Sequence, residues 1–263
     1  MSRFCPLFSS SSGNSTYIGA GSSGILIDAG VSAKRLKLSL AQRNIAPESI
    51  QAIFVTHEHT DHIQGVRVFA SAYGTPVYAT RGTLDAMDEK GVLNGKFPVF
   101  EVSEKGDEVG GMLVNHFLTP HDSEESCGFT IKMPDEQKVA IATDMGHVDD
   151  EILAHLMGSN LVMLESNHDV GMLQNCMYPY YLKRRILSKF GHLSNESCAE
   201  VAKKLIENGT SRLYLAHLSE ESNMPSLAYQ ANLCEIQTCG AVIDKDYLMQ
   251  VNSKENTDNF VSF

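Results

Sequence analysis

The segment that most constrains this chain is Ala52-Ile-Phe-Val-Thr56-His57-Glu-His59-Thr-Asp61-His62-Ile63. A short apolar run rich in branched and aromatic side chains reads as a buried strand. It leads directly into three histidines and a carboxylate, after which Ile63-Gln-Gly-Val-Arg-Val-Phe resumes an apolar pattern consistent with a helix. The cluster therefore occupies a strand-to-helix loop, where side chains from a rigid scaffold converge. His57 and His59 are two residues apart, so in extended backbone both imidazoles reach the same side and can share an ion. Asp61 and His62 come after the turn and can address a second ion. Metal–nitrogen bonds of about 2.0–2.1 Å require such convergence.

Four side chains cannot complete two ions, so other parts of the chain must contribute. His121, Asp144 and His217 stand in the same context, each closing an apolar strand-like run (Leu113–Pro120, Val139–Thr143 and Leu213–Ala216). Strands are expected at Ser15–Ile18, Gly24–Asp28, Ala52–Thr56, Pro76–Ala79, Met112–Phe117, Gly128–Met133, Lys138–Thr143, Leu161–Glu165, Arg212–Ala216, Ala241–Ile243 and Tyr247–Val251. Helices are expected at Ser32–Asn44, Ile63–Ala72, Thr83–Lys90, Asp149–Leu156, Tyr180–Phe190, Asn195–Glu207 and Pro225–Thr238. Strands come first in runs and then alternate with helices, which implies two sheets with helices packed outside. Residues 1–252 read as a single domain and 253–263 as a polar, loosely ordered tail.

Composition narrows the function. With 43% hydrophobic residues the chain can bury a substantial core, and no apolar run is long enough for a membrane span. The N-terminus lacks the long apolar stretch of a secretory signal, so a cytoplasmic protein is expected. None of the six cysteines forms a C-x-x-C pair, which points to reduced thiols. A net charge of −11 argues against indiscriminate binding of nucleic acid. Locally, Lys183–Lys204 holds six basic residues against two acidic ones. That stripe is compatible with a phosphate-bearing substrate, although charge alone favours a solvated helix face.

The pattern T-H-x-H-x-D-H, preceded by Ile-Leu-Ile-Asp28-Ala-Gly and followed by His121, Asp144 and His217, resembles the metallo-β-lactamase superfamily. The resemblance runs from about Tyr17 to His217 and implies an α/β fold, a four-layer αβ/βα sandwich with a dinuclear site at one edge. It implies that His57, His59 and His121 hold one metal, that Asp61, His62 and His217 hold the other, and that Asp144 bridges them. Asp28 would orient the histidine loop from behind the ligands. His62 and Asp144 stand where the commonest true β-lactamases use Arg and Cys, which lowers the odds of antibiotic hydrolysis. The stretch from Asp144 to His217 is too short for the insertion of the β-CASP nucleases, and there is no Gly/Pro-rich arm of the tRNA-processing type.

Ser9–Ser15, Glu165-Ser-Asn-His-Asp169, Gly191-His-Leu-Ser-Asn195 and Ala216-His-Leu-Ser219 are similar to the YycJ/WalJ-like group. That similarity implies a metal-dependent 5′→3′ exonuclease on double-stranded DNA. The expected cofactors are two divalent ions, Zn²⁺ by default with Mn²⁺ or Fe as alternatives, because the ligand set lacks cysteine. Catalytic roles fall to Asp61, whose free oxygen can orient the nucleophile, and to His192, for phosphate contact or protonation of the leaving group. Substrate contacts are expected from Asn14 in the Ser-rich loop, from Ser194, and from Arg184 and Arg185. Ser194 is alternatively a helix cap. His147 and His168 can line the cleft, while His116 and His155 are left to structure. A small-molecule phosphodiesterase, a glyoxalase II-like thioesterase and a non-catalytic metal-containing scaffold are the competing readings.

Overall fold

The computed structural model describes residues 1–258 and 260–263. Six strands form most of a first sheet: β1 (Ser2–Phe8), β2 (Ser15–Ala20), β3 (Ser23–Ile27), β4 (Ile50–Phe54), β5 (Val77–Ala79) and β6 (Val99–Glu101). Seven more build a second: β7 (Asp107–Val109), β8 (Met112–Leu118), β9 (Cys127–Lys132), β10 (Lys138–Ala142), β11 (Leu161–Glu165), β12 (Arg212–Ala216) and β13 (Leu248–Val251). A last short strand, β14 (Val261–Ser262), returns to β1, so the sheet orders are β14-β1-β2-β3-β4-β5-β6 and β13-β12-β11-β10-β9-β8-β7. Each sheet has antiparallel pairs on one side and parallel pairs on the other, the parallel ones being β3 to β6 and β10 to β13. Parallel neighbours need crossovers, and helices supply them.

The helices are α1 (Ala33–Gln42), α2 (Thr60–Ile63), α3 (Val66–Tyr73), α4 (Arg81–Glu89), α5 (Asp150–Leu156), α6 (Val170–Asn175), α7 (Tyr180–Ile186), α8 (Asn195–Glu207) and α9 (Pro225–Gln237). Three apolar clusters show the layering. Ile18, Ile25 and Phe54 of the first sheet meet Phe129, Ile141 and Tyr214 of the second in a core between the sheets. Ile53 and Val55 face outward onto Leu36 and Phe69, and Leu213 and Leu215 onto Ala202 and Leu205. Alternation along β4 and β12 thus serves two cores at once, as expected of strands covered on both faces. Complete burial of a side chain such as Phe54 or Phe129 contributes about 1.5–3 kcal/mol. The four layers match the sandwich expected from the sequence.

Differences from the sequence reading are local. The helix expected over 63–72 is two helices, α2 and α3, meeting at Gln64 and Gly65. The one expected over 180–190 stops at Ile186. Ala241–Ile243 is no strand and retains only an isolated bridge from Ile243 to Tyr247. The tail is tied down rather than loose: Glu255 bridges Phe8 and pairs with Arg35, Arg43 donates to the Asn256 carbonyl, and β14 pairs with β1. The polar stretch 253–258 conceals this, because it is held by backbone and ion-pair contacts, while only Phe260, Val261 and Phe263 pack against the cores. The six cysteines are all free. Among the described residues no helix is long and apolar enough to cross a membrane.

Candidate metal centre

Parallel strands in both sheets deliver their C-terminal ends to one place. Asp28 follows β3, Thr56–His62 follow β4, Asp144 follows β10, Glu165 ends β11 and His217 follows β12. His121 arrives after the antiparallel strand β8. Asp28, Asp144 and His217 have φ of 61°, 59° and 56°. A non-glycine residue in the left-handed region costs on the order of 1–3 kcal/mol, and such strain concentrates at functional sites. Here it turns Asp144 and His217 off their strand axes toward the other donors and Asp28 toward Thr56 and His62. Gly30 answers a steric demand of the same loop, since a Cβ there would fall 1.6 Å from the Asp61 carbonyl oxygen.

The expected ligands converge. Donor atoms of His57, His59 and His121 lie within 4.8 Å of one another, as do those of Asp61, His62 and His217 and those of His57, His62 and Asp144. The His57 ring stands 4.5 Å from His59 and 4.9 Å from His121. Asp144 sits between the sets, with Oδ2 3.4 Å from His62 Nε2 and Oδ1 4.0 Å from His121 Nε2. Asp61 Oδ2 is 3.5 Å from His62 Nε2 and 3.8 Å from His217 Nε2.

The far nitrogens of these rings are fixed from behind. His62 Nδ1 lies 2.8 Å from Asp28 Oδ2, and Asp28 also accepts from the Thr56 N–H (2.8 Å) and hydroxyl (2.9 Å). His121 Nδ1 is 3.1 Å from the Gly191 carbonyl oxygen. His217 Nδ1 is 2.8 Å from Glu165 Oε1. Such partners select which nitrogen is presented forward. At the site His57 Nε2, His121 Nε2, His217 Nε2 and Asp144 Oδ2 are buried without hydrogen-bond partners among the described residues. Buried polar atoms are rarely left unpaired, and imidazole nitrogens and carboxylate oxygens are donors suited to divalent ions. The residues fit a divalent metal site.

Electrostatics divide the cluster. Burial, reinforced by His62, His121 and His59, holds His57 well below the ordinary histidine range, and burial likewise lowers His121. Against the burial that lowers them, Asp28, Asp144 and Asp61 raise His62 well above that range, and Asp144, Asp61 and Glu165 push His217 up to about 10. Against its own burial, Asp61 is held below the usual carboxylate range by His62 and His217.

Glu165 is the residue that sequence reasoning missed as a participant. Fully buried, it accepts from His192 Nδ1 and His217 Nδ1 on Oε1 (2.8 Å each), and from the Met145 and Leu193 N–H groups on Oε2 (3.0 and 3.2 Å). Burial opposes its charge, but His192 and His217 keep it well below the usual carboxylate range. The fourth convergent group, Asp144, Glu165, His192 and His217, is better read as this hydrogen-bonded network, because both imidazole Nδ1 atoms are engaged by the carboxylate. The available signal was its position: Glu165 closes an apolar strand as His57 and His217 do.

The expected substrate contacts fare unevenly. Asn14 is buried under the site, where its Nδ2 donates to Asp61 Oδ2 (3.2 Å) and stands 3.1 Å from His62 Nε2. The Ser-rich loop is not a free anion nest, since the Ser10, Ser12, Gly13 and Asn14 N–H groups bond within the protein. Ser194 caps α8 by accepting from the Ser197 N–H (3.2 Å). Arg185 pairs with Asp122 beside His121, and Arg184 is exposed. His147 is bound through Nδ1 to the Lys189 carbonyl oxygen (3.1 Å). His168 is buried with neither ring nitrogen partnered among the described residues, and burial lowers it to about 4.

A sequence profile of the β-lactamase superfamily domain matches residues 24–218, the span that carries this cluster. The chain belongs to the metallo-β-lactamase superfamily. Among its relatives, exodeoxyribonuclease WalJ of Streptococcus pneumoniae serotype 2 (strain D39 / NCTC 7466) is 35% identical over 249 residues, 93% of this chain and 92% of that protein. Exodeoxyribonuclease YycJ of Bacillus anthracis is 38% identical over 230 residues, 86% of each chain. Among solved structures, the metallo-β-lactamase fold protein YhfI of Bacillus subtilis superposes with a TM-score of 0.70 at 14% identity, covering 97% of this chain and 98% of its own. The last similarity speaks for the superfamily fold alone.

Proposed function

We propose that this chain is a dinuclear-metal phosphodiesterase, a cytoplasmic exodeoxyribonuclease that degrades double-stranded DNA in the 5′→3′ direction. The observation that carries the reading is the arrangement of two donor sets about Asp144 with His192, backed by Glu165, at their edge. The relatives named exodeoxyribonuclease, similar along most of the chain, support DNA as the substrate. His57, His59 and His121 would hold one ion and Asp61, His62 and His217 the other, with Asp144 between them. Zn²⁺ suits the donors best, with Mn²⁺ or Fe as alternatives.

When bound, the two ions supply Lewis acidity toward the scissile phosphate and activation of water at neutral pH. The protein supplies orientation and a proton. Asp61 offers a carboxylate oxygen to align the attacking water, and Asn14 holds Asp61 in place. His192 is partly exposed and tethered at Nδ1 by Glu165, which leaves Nε2 to protonate the departing oxygen. Because Glu165 also engages His217, proton donor and ligand share one anchor. Asn14 and Ser194 are thus positioning and capping residues, and Arg184 is an exposed cation of the stripe without an ion pair among the described residues.

The test is a nuclease panel with metal-loaded protein and a His62→Ala control. It contains duplex DNA labelled at either end, single-stranded DNA, RNA and a chromogenic phosphodiester. Stepwise loss of the 5′ label from duplex DNA, abolished in the variant, is expected. Turnover of the small phosphodiester alone would move the substrate to small molecules. No turnover by metal-replete protein would overturn the reading in favour of a thioester substrate or a non-catalytic role.

A further inference from the structure

The segment between α6 and the His192 loop carries a surface that the metal centre does not use. Tyr180, Tyr181 and Phe190 are 76%, 74% and 59% exposed. All three belong to the one short segment Tyr180–Phe190, and several large rings exposed on one segment suit an interaction site better than scattered single ones do. Cations are interleaved with these rings. Arg185 is drawn to Asp122, and Lys183 Nζ donates to the Gln174 carbonyl oxygen (2.8 Å). Arg184 and Lys189 are exposed and make no ion pair among the described residues. In a chain of net charge −11 this patch is locally inverted.

One end of the segment is clamped to the metal centre. His192 N–H donates to the Ile186 carbonyl oxygen (3.0 Å), and the Gly191 carbonyl oxygen receives His121 Nδ1 (3.1 Å). The Ser188–Lys189 backbone presses so closely on Gly146 that a Cβ there would lie 2.3 Å from the Lys189 oxygen. The loops bearing His121, Asp144 and His192 thus share a base with the aromatic patch.

We infer that Tyr180–Phe190 is a platform for the unpaired end of a nucleic-acid strand. Tyr180, Tyr181 and Phe190 stack on its bases, and Arg184 and Lys189 take its phosphates. Aromatic faces set in a cationic surface bind single strands with little sequence preference, because every base has a π-face. Bases inside a duplex already stack on each other, so the platform selects frayed or overhanging ends and leads them to the metals. Basic and aromatic side chains together also suit an anionic bilayer, but the clamp to the His121 and His192 loops favours a strand bound for cleavage. The inference rests on the phosphodiesterase reading above.

The test uses metal-loaded protein and non-cleavable duplexes carrying 2-aminopurine in a short single-stranded overhang or at an internal paired position. Wild-type protein is expected to quench the overhang probe and leave the internal one unchanged. Tyr180→Ala/Tyr181→Ala should lose the quenching and bind the overhang about tenfold or more weakly, with metal content and melting temperature retained. Arg184→Gln/Lys189→Gln should lower the slope of log Kd against log salt by about one to two. Phe100→Ala, an exposed ring on β6, is the control. Equal quenching and affinity in the tyrosine variant would overturn the inference while leaving the nuclease reading intact. Stronger binding to phosphatidylserine vesicles than to oligonucleotide would overturn it in favour of a membrane. Failure of wild-type protein to bind or cut any DNA would instead sink the phosphodiesterase reading itself.

Discussion

Both donor sets rely on histidines, but those histidines sit in opposite electrostatic surroundings. His57 and His121 are lowered by burial, so they offer neutral imidazoles at neutral pH. His62 and His217 are ringed by Asp28, Asp61, Asp144 and Glu165, which outweigh burial and hold protons on them. A metal ligand must be deprotonated. The first set is therefore ready for a cation, and the second must release protons to accept one. Both second-set histidines are charged below their raised pKa, so affinity there climbs as pH rises toward about 10, where His217 loses its proton unaided. Without an ion, the same pairs stabilise the fold fully below the ordinary histidine range. That contribution is lost as pH rises through about 10.

The sharpest way to break this comparison is to remove what the two sets share. Asp144→Ala should abolish DNA cleavage and lower metal content, read by elemental analysis of purified protein. Unchanged stoichiometry would mean that Asp144 joins neither set.

Next in size is His192, which belongs to neither set but hangs from the carboxylate that serves the second. General acid catalysis contributes about 10²–10⁴-fold, so His192→Ala should lose that much on DNA. A nitrophenyl phosphodiester, whose leaving group needs no proton, should lose far less. Equal losses on both substrates would remove the proton-donor role.

Asp28 touches only the second set. Asp28→Asn should weaken one metal site by about 10–100-fold and spare the other, as competition with a graded chelator would reveal. Uniform weakening of both sites would erase the distinction. The smallest effect belongs to Ser194. Losing the α8 cap should cost about 1 kcal/mol in denaturant unfolding, with DNA affinity unchanged. Weaker DNA binding would restore the substrate contact expected from the sequence.

How much of this was legible beforehand depends on the kind of signal. His57, His121, Asp144 and His217 were readable because each polar residue interrupts an apolar strand pattern at its end. Asp28 was readable only through its resemblance to a known motif. Glu165 closes β11 in the same manner, yet a lone acidic residue after Leu161–Leu164 looks like an ordinary strand end. Its role depends on partners 27 and 52 residues away. Asn14 reads from the sequence as a substrate contact and in the fold touches Asp61 and His62, because a Ser-rich loop does not reveal whether its N–H groups face a ligand or each other. β1 is not evident in the sequence, and in the fold it lies between β14 and β2 with its Pro6 at a bulge in the pairing to β2, a position where a sheet tolerates proline. The sequence reads Tyr180–Phe190 as a helix, and only the fold shows that Tyr180, Tyr181 and Phe190 are exposed.

The most direct measurement of the central claim is calorimetric titration of metal-free protein with Zn²⁺ in buffers of differing ionisation enthalpy. Two binding events per chain are expected, one nearly free of proton release and one releasing protons and tightening about tenfold per pH unit for each proton displaced. A single event, or two events with equal proton release and equal pH dependence, would contradict the account.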